Sequence, residues 1–421
     1  MKFEKVLVAL STAVACALPL HAQNLASDFD KALSFDPSYL AALAERDATL
    51  VQARQSAVAY YPEASLNTSR LQTDTGNRRT LTVTQPLFSL DRWAMLEQAA
   101  PRTALAEAGL LVKQQDLAQR LLKTANAIIL ASENLQLNQS KIDALEQQAQ
   151  AAEQKFKLGQ GTVTDLRDLQ VKAKQARAQH LTLQSQQQVA AQQYAALVGE
   201  RPVLAEFALP QGRPALPPGS LQVLMDQALQ SSPAILSARA TEQVAALDVK
   251  RARGSLMPAL FASYSNSKSG SVSNNYTGVT MNVPLQAGNW LGVEVAQANA
   301  LRAQETRKEA ESKIRVEVER LYSLILAGDE SLRIQSEAIA AAELSVEANR
   351  QSYQGGVRSA VDVINAIQTV FQVKSDYATM AAQQAENHLS LATLVSGDTH
   401  ETALKTFGML FPKNLQGKTE K

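Results

Sequence analysis

Apolar positions recur every seven residues along two long stretches of the chain. Leu121, Ile128, Leu135, Ile142, Ala149 and Phe156 make the first series. Val318, Ile325, Leu332, Ile339, Val346 and Tyr353, each 197 residues further on, make the second. Sustained heptads predict long helices packed side by side, and small residues beside the seam (Thr124, Ala131, Ala152) let the neighbours approach closely. The first long helix is expected over 91–156, with a kink or irregular start at Pro101, and the second over 291–353. At 1.5 Å per residue each is a rod of roughly 100 Å.

A matched stretch closes each rod. Phe156-Lys-Leu-Gly159-Gln-Gly161-Thr-Val-Thr164-Asp165 and Tyr353-Gln-Gly355-Gly356-Val-Arg358-Ser-Ala-Val-Asp362 keep the same spacing from aromatic to Gly and from aromatic to Asp. Such a stretch reads as a helix ended by a Gly cap, a tight turn, and a new helix opened by Thr or Ser with Asp in its first turns. Return helices are therefore expected over 163–198 and 359–395.

Upstream of each rod the periodicity drops to two. Strand pairs are predicted at about 63–71 and 79–88, around a turn at 73–77, and at about 259–267 and 276–285, around Ser269-Gly270 and Asn274-Asn275. Leu81, Val83 and Leu87 lie on one face of the second strand and Thr80, Thr82 and Thr84 on the other. Val279, Met281, Val283 and Leu285 oppose Thr280 and Asn282 in the fourth. Asp36-Pro37 and Ser232-Pro233 each open a helix before the strands, and Pro62 and Pro258 end those helices. Pro86 matches Pro284, and Trp93 matches Trp290 at the strand-to-helix junction. The chain is thus a duplication: a repeat over 23–199, a Pro-rich linker over 200–220, a second repeat over 221–396 and a tail over 397–421 that is partly disordered or packs around the middle of the helices.

The first 22 residues read as a signal peptide, with Lys2 and Lys5 before the apolar run from Val6 to Ala17 and the small Ala22 at the cleavage point. Cys16 follows Ala13-Val14-Ala15, a weak likeness to a lipidation box without its usual Leu; cleavage after Ala22 leaves no cysteine. With 41 basic and 40 acidic residues, charge gives no reason to expect nucleic acid. No later segment is apolar for long enough to be a transmembrane helix, so membrane entry would need a β-barrel. Four strands cannot close one, since membrane barrels start at eight; several chains must contribute. An alternative is a structural coiled coil, an envelope tether that conducts nothing, but it leaves the inserted strands without a role.

These features resemble the TolC family of outer-membrane efflux and secretion channels. The likeness rests on Asp36-Pro37, the Tyr61-Pro62 and Met257-Pro258 junctions, Gln85-Pro86-Leu87-Phe88 and the two Gly turns. It implies an α+β membrane protein: a homotrimer with a 12-stranded outer-membrane barrel and a periplasmic tunnel of coiled-coil helices. It also implies a periplasmic adaptor and an inner-membrane transporter of ABC or RND type as partners. Phe35 to Ala42 resembles the members that serve type I protein secretion.

The resemblance further implies a gate at the periplasmic end, with Thr164 and Asp165 linked to Tyr353 and Arg358. A carboxylate and a guanidinium can pair bidentately, although an exposed pair is worth only ~0–1 kcal/mol. Asp362 matches an acid ringing the narrowest point, which would favour cations and raise its own pKa by mutual repulsion; Asn365 stands where a second acid is often found and weakens that selectivity. Gly159, Gln160, Gly161, Gly355, Gly356 and Val357 form the tips offered to the adaptor. Acids at helix starts are also favoured by the helix dipole alone. No cofactor motif appears, and His180, His388 and His400 are too scattered for a metal cluster or triad, so an enzyme is not expected.

Overall fold

The computed structural model describes residues 25–70, 77–210, 219–284 and 287–411. The signal segment with Cys16, turn residues 73–76, linker residues 211–218, Leu285 and the last ten residues lie outside the described part. The fold follows the two programmes in order. The first runs α1 (Leu25–Phe35), α2 (Pro37–Ala57), β1 (Glu63–Ser69), β2 (Arg78–Phe88), α3 (Leu90–Glu97), α4 (Ala99–Lys157) and α5 (Val163–Val198). The second runs α6 (Leu221–Ser231), α7 (Pro233–Gly254), β3 (Ala259–Ser269), β4 (Val272–Asn282), α8 (Ala287–Gln354) and α9 (Ala360–Val395), and α10 (Thr399–Leu410) follows.

The helices form one elongated body. α2 and α5 pack along α4, α7 and α9 pack along α8, and α4 also contacts α7 and α9. Of the twelve heptad positions, all except Phe156 are buried or half-buried. Polar links across the seams survive the duplication as well. Gln187 Nε2 donates to Ser132 Oγ at 2.8 Å, and 197 residues on Gln384 Nε2 donates to Asp329 Oδ1 at 3.1 Å. Arg177 pairs with Glu146 and Lys374 with Glu343, both at 2.6 Å and again 197 residues apart. Both repeats therefore keep one geometry between rod and return helix.

Three short helices were absent from the sequence expectations. α1 and α10 join α4, α5 and α9 in a core around Phe29, Leu121, Tyr194 and Phe407, and α6 takes the place of α1 in the second repeat, against Val318, Leu321 and Ile325. The tail is thus helical over 399–410, docked at the middle of the helical body. The rod expected to start at 91 comes as α3 and α4, parted at Gln98; Pro101 falls in the first turn of α4, where its missing N–H costs nothing. Gln98 is fully buried and its Nε2 donates to Asp248 Oδ1 of α7 at 2.7 Å.

The strands make one antiparallel sheet in the order β1-β2-β3-β4, so the two repeats meet at the β2–β3 ladder. Register sorts the side chains into two faces. One carries Ala64, Leu66, Leu81, Val83, Leu260, Ala262, Tyr264, Val279 and Met281; the other carries Ser65, Asn67, Thr80, Thr82, Ser263, Ser265 and Ser267. A β-bulge between Pro86 and Phe88 sets Phe88 opposite Leu260, so Leu87 does not continue the face of Val83 as expected. Pro86 has no N–H to give the ladder, which is where bulges form. The second hairpin turns at Gly270-Ser271, with Gly270 at φ 58°, and Asn274 and Asn275 sit inside β4 rather than in the turn.

The junction between sheet and helices is braced by polar contacts. Tyr60 Oη donates to the Ser89 carbonyl at 2.7 Å, Gln85 Nε2 to the Tyr60 carbonyl at 2.8 Å, and Arg92 to the Ala59 carbonyl at 2.8 Å and Glu63 at 2.5 Å. Trp93 lies here, edge-on to Tyr60, and Trp290 in the first turn of α8; both are exposed.

Asp36 caps α2, accepting from the Tyr39 amide at 3.0 Å, and takes both Nη1 and Nη2 of Arg120 at 3.3 and 2.9 Å. Burial alone would raise its pKa; the Arg120 bonds and the Tyr39 amide outweigh this and hold the carboxyl below its ordinary value. Asp36→Ala should therefore destabilise the helical body by about 2–3 kcal/mol, the loss of a cap and of a half-buried charge-assisted pair, and Asp36→Asn by less. Because the folded pKa is depressed, the contribution is present above the ordinary carboxyl value and disappears as pH falls through the folded one. Thermal unfolding followed by circular dichroism across pH 3–7 checks this: the gap between wild type and variant should shrink at the acid end.

Candidate gate at the helix tips

The lower ends of α4, α5, α8 and α9 converge on one apolar cluster, which contains Leu145, Leu166, Leu169, Tyr353, Val363 and Ile364. Two turns close it, built alike. After α4, Gly159 takes φ 72°, and the amides of Gly159 and Gln160 donate to the carbonyls of Phe156 at 3.0 Å and Lys155 at 2.8 Å. After α8, Gly356 takes φ 76°, and the amides of Gly356 and Val357 donate to Tyr353 at 3.2 Å and Ser352 at 2.9 Å. Each is a Schellman cap, which needs a left-handed residue at that place.

The helix starts differ in one respect. Thr162 caps α5, its side chain accepting from the Asp165 amide at 3.1 Å. Ser359 caps α9 reciprocally: its hydroxyl accepts from the Asp362 amide at 3.3 Å, while Asp362 Oδ2 accepts from the Ser359 amide at 3.0 Å and hydroxyl at 2.9 Å. Those bonds, with the charge of Arg358, hold the Asp362 carboxyl below its ordinary range. Within one chain the shift is therefore downward, because the cap supplies donors to the ionised form; the upward shift expected from mutual repulsion belongs to a ring of copies.

The structure brings the expected gate residues to one end of the molecule but pairs them differently. Thr164 is exposed and Asp165 half-buried in the first turn of α5. Arg358, in the turn before the Ser359 cap, is exposed and reaches Asp362 Oδ1 in the first turn of α9 at 3.7 Å; among the described residues, no ion pair joins it to Asp165 within one chain. Tyr353 is buried, and burial first, then the nearby Asp165 charge, raise its phenol pKa. Asp362 and Asn365 lie one turn apart on α9, and Asn365 continues into a polar groove with Thr369, Gln372, Asn134 and Gln179. The tip residues Gly159, Gln160, Gly355, Gly356 and Val357 are exposed and Gly161 is half-buried.

Lys155 was not among the expected site residues. Its ammonium donates to the Tyr353 carbonyl at 2.8 Å and stands 4.1 Å over the Tyr353 ring centroid. The contact ties the end of the first rod to the end of the second, and its sequence trace is only a Lys next to the heptad aromatic. Phe156, which the duplication equates with Tyr353, is exposed instead.

The family described as outer membrane efflux protein matches residues 29–200 and 224–397. The chain belongs to the outer membrane efflux protein family. As a member it is an outer-membrane efflux or secretion channel with its helical tunnel in the periplasm, and not an enzyme. It is similar to the alkaline protease secretion protein AprF of Pseudomonas aeruginosa, 28% identical over 354 residues that cover 76% of this chain and 73% of that one. The proteases secretion protein PrtF of Dickeya chrysanthemi is 26% identical over 74% of this chain and 71% of its own, and TolC of Escherichia coli is 22% identical over 88% and 81%. The fold is shared with the outer-membrane channel OprN (TM-score 0.78, 18% identity, covering 90% of this chain and 91% of that one). It is shared also with VceC of Vibrio cholerae (TM-score 0.75, 18% identity, 89% and 96%).

The Lys155 contact makes this efflux-family tip testable. Lys155→Met keeps the aliphatic stem and removes the ammonium, with an expected loss of about 1 kcal/mol of local stability. Amide hydrogen exchange over residues 351–360 should then speed up severalfold. Unchanged exchange there would show that Lys155 does not hold Tyr353.

Proposed function

We propose that three copies of this chain close a barrel of twelve strands and form the exit duct of a tripartite export system, gated at its helix tips. The observation that carries the reading is the sheet: four strands with both outer edges unpaired among the described residues, one face largely apolar and exposed at Leu66, Leu81, Val279 and Met281, the other lined mainly with Thr, Ser and Asn. Such a face fits lipid, and such a lining fits a polar lumen. α5 and α8 carry exposed apolar residues (Leu181, Val189, Val316, Leu326, Ile334) at the flanks of the helical layer, where neighbouring copies would cover them.

In this duct the tips 159–161 and 355–357 meet a periplasmic adaptor, and an inner-membrane transporter of ABC or RND type supplies cargo and energy. Two relatives, both secretion proteins for proteases, support type I export of proteins as the cargo class; drugs and other small molecules are the second class. Asp165 and Thr164 of one repeat and Tyr353 and Arg358 of the other form the latch, with Arg358 exchanging Asp362 for a partner across the tip when copies assemble. Asp362, with the neutral Asn365 above it, rings the constriction.

Single-channel conductance of the purified mature protein in a planar bilayer tests both parts. The wild type should give a small, cation-preferring conductance, and Arg358→Ser a severalfold larger one. Equal conductances would leave the duct and remove Arg358 from the latch. An assembled protein that conducts nothing would point to the structural coiled coil instead.

A further inference from the structure

The outward face of the sheet carries a row that neither the duct nor the gate uses. Register places Thr68 opposite Arg79, Arg79 opposite Lys268, and Lys268 opposite Ser273, so four neighbouring strands present hydroxyl, guanidinium, ammonium and hydroxyl in line. All four side chains are exposed. The row stands on the same face as Leu66 and Leu81, two residues beyond them towards the strand turns, roughly 7 Å further along the strands. Like charges directly opposite each other on a sheet repel, and among the described residues neither Arg79 nor Lys268 has a carboxylate partner. Two positive charges without a carboxylate partner, flanked by hydroxyls, describe half of an anion site.

We infer that this row binds the phosphate of an outer-leaflet lipid. The inference rests on the barrel reading above, which turns this face to the lipid and the strand turns to the outside. An anion tethered to acyl chains against Leu66, Leu81, Val83 and Val279 has its headgroup at the height of Arg79 and Lys268. A guanidinium takes two phosphate oxygens at once and the ammonium a third, while the hydroxyls of Thr68 and Ser273 flank the pair on the outer strands. A free phosphate would gain the same charges but not the apolar band beneath them, so the lipid is the source to which position commits the site.

Native mass spectrometry of the detergent-purified oligomer tests it, with three probes: bisphosphorylated lipid A, the same lipid with both phosphates removed, and inorganic phosphate. The phosphorylated lipid should remain bound at least tenfold more than its dephosphorylated form. Arg79→Gln with Lys268→Gln should abolish that preference while leaving the oligomer and its conductance intact. Equal retention of both lipids by the wild type would overturn the proposal, as would a preference that persists in the double variant. Displacement of the lipid by millimolar inorganic phosphate would overturn the assignment to a lipid. Failure of the wild type to assemble at all would instead sink the barrel reading on which this inference rests; assembly with phosphate-blind binding sinks this inference alone.

Discussion

Unpaired strand edges are the constraint from which the rest of this structure follows. Among the described residues, β1 and β4 each leave one side of their backbone without a ladder partner, and in a bilayer every such group costs several kcal/mol. No rearrangement inside one chain removes them, because four strands cannot curl into a closed membrane barrel. The sheet also shows an apolar face to the outside, which a soluble protein would bury. Edge and face together set two conditions on the proposed duct: copies must join edge to edge, and the joined face must meet lipid. Among the described residues no helix is long and apolar enough to cross a membrane.

Duplication meets the first condition economically. Each repeat adds one hairpin and one rod with its return helix, and the β2–β3 ladder joins the repeats through the same kind of contact that would join neighbouring chains. The paired links at Gln187–Ser132 and Gln384–Asp329, and at Arg177–Glu146 and Lys374–Glu343, keep rod and return helix in one register in both halves. The halves diverge at the tip. Tyr353 is buried under Lys155 while Phe156 is exposed, and Ser359 and Asp362 cap each other reciprocally while Thr162 caps α5 from one side. The proposed latch would need two different ends, and at the tip the side chains differ while the turns are kept.

Much of this was legible in the residues because the signals were local and repeated. Heptads gave the rods, Gly159 and Gly356 the turns, and the alternation of Leu and Val with Thr the strands. What escaped depends on tertiary partners. α1, α6 and α10 are only 11, 11 and 12 residues long, too short to announce a period, and exist by docking Phe29, Leu224 and Phe407 into cores supplied by other helices. The break at Gln98 needs Asp248, 150 residues away. The bulge at Pro86 could have been read from proline's missing donor, but its effect on Leu87 depends on the pairing with β3. Lys155 and Tyr353 are 198 residues apart, and no spacing rule joins them.

The proposed latch is made of weak parts, and a gate requires that. The body of the molecule is held by buried seams, where opening would expose Leu121, Ile128, Val318 and Ile325 together, at about 1.5–3 kcal/mol for each large side chain. Such a seam does not yield to a partner that offers only surface contacts. At the tip, Arg358 and Asp362 are solvent-facing and 3.7 Å apart, a pair worth ~0–1 kcal/mol. The guanidinium can leave it for another carboxylate at little cost, and the capping bonds from Ser359 keep Asp362 ionised and satisfied when it does. The Schellman turns fix the path of the chain while their side chains remain free to exchange partners. In the proposed duct, stiff rods would thus deliver a small, reversible change of pairing to the tip, at an energy within reach of a docking protein.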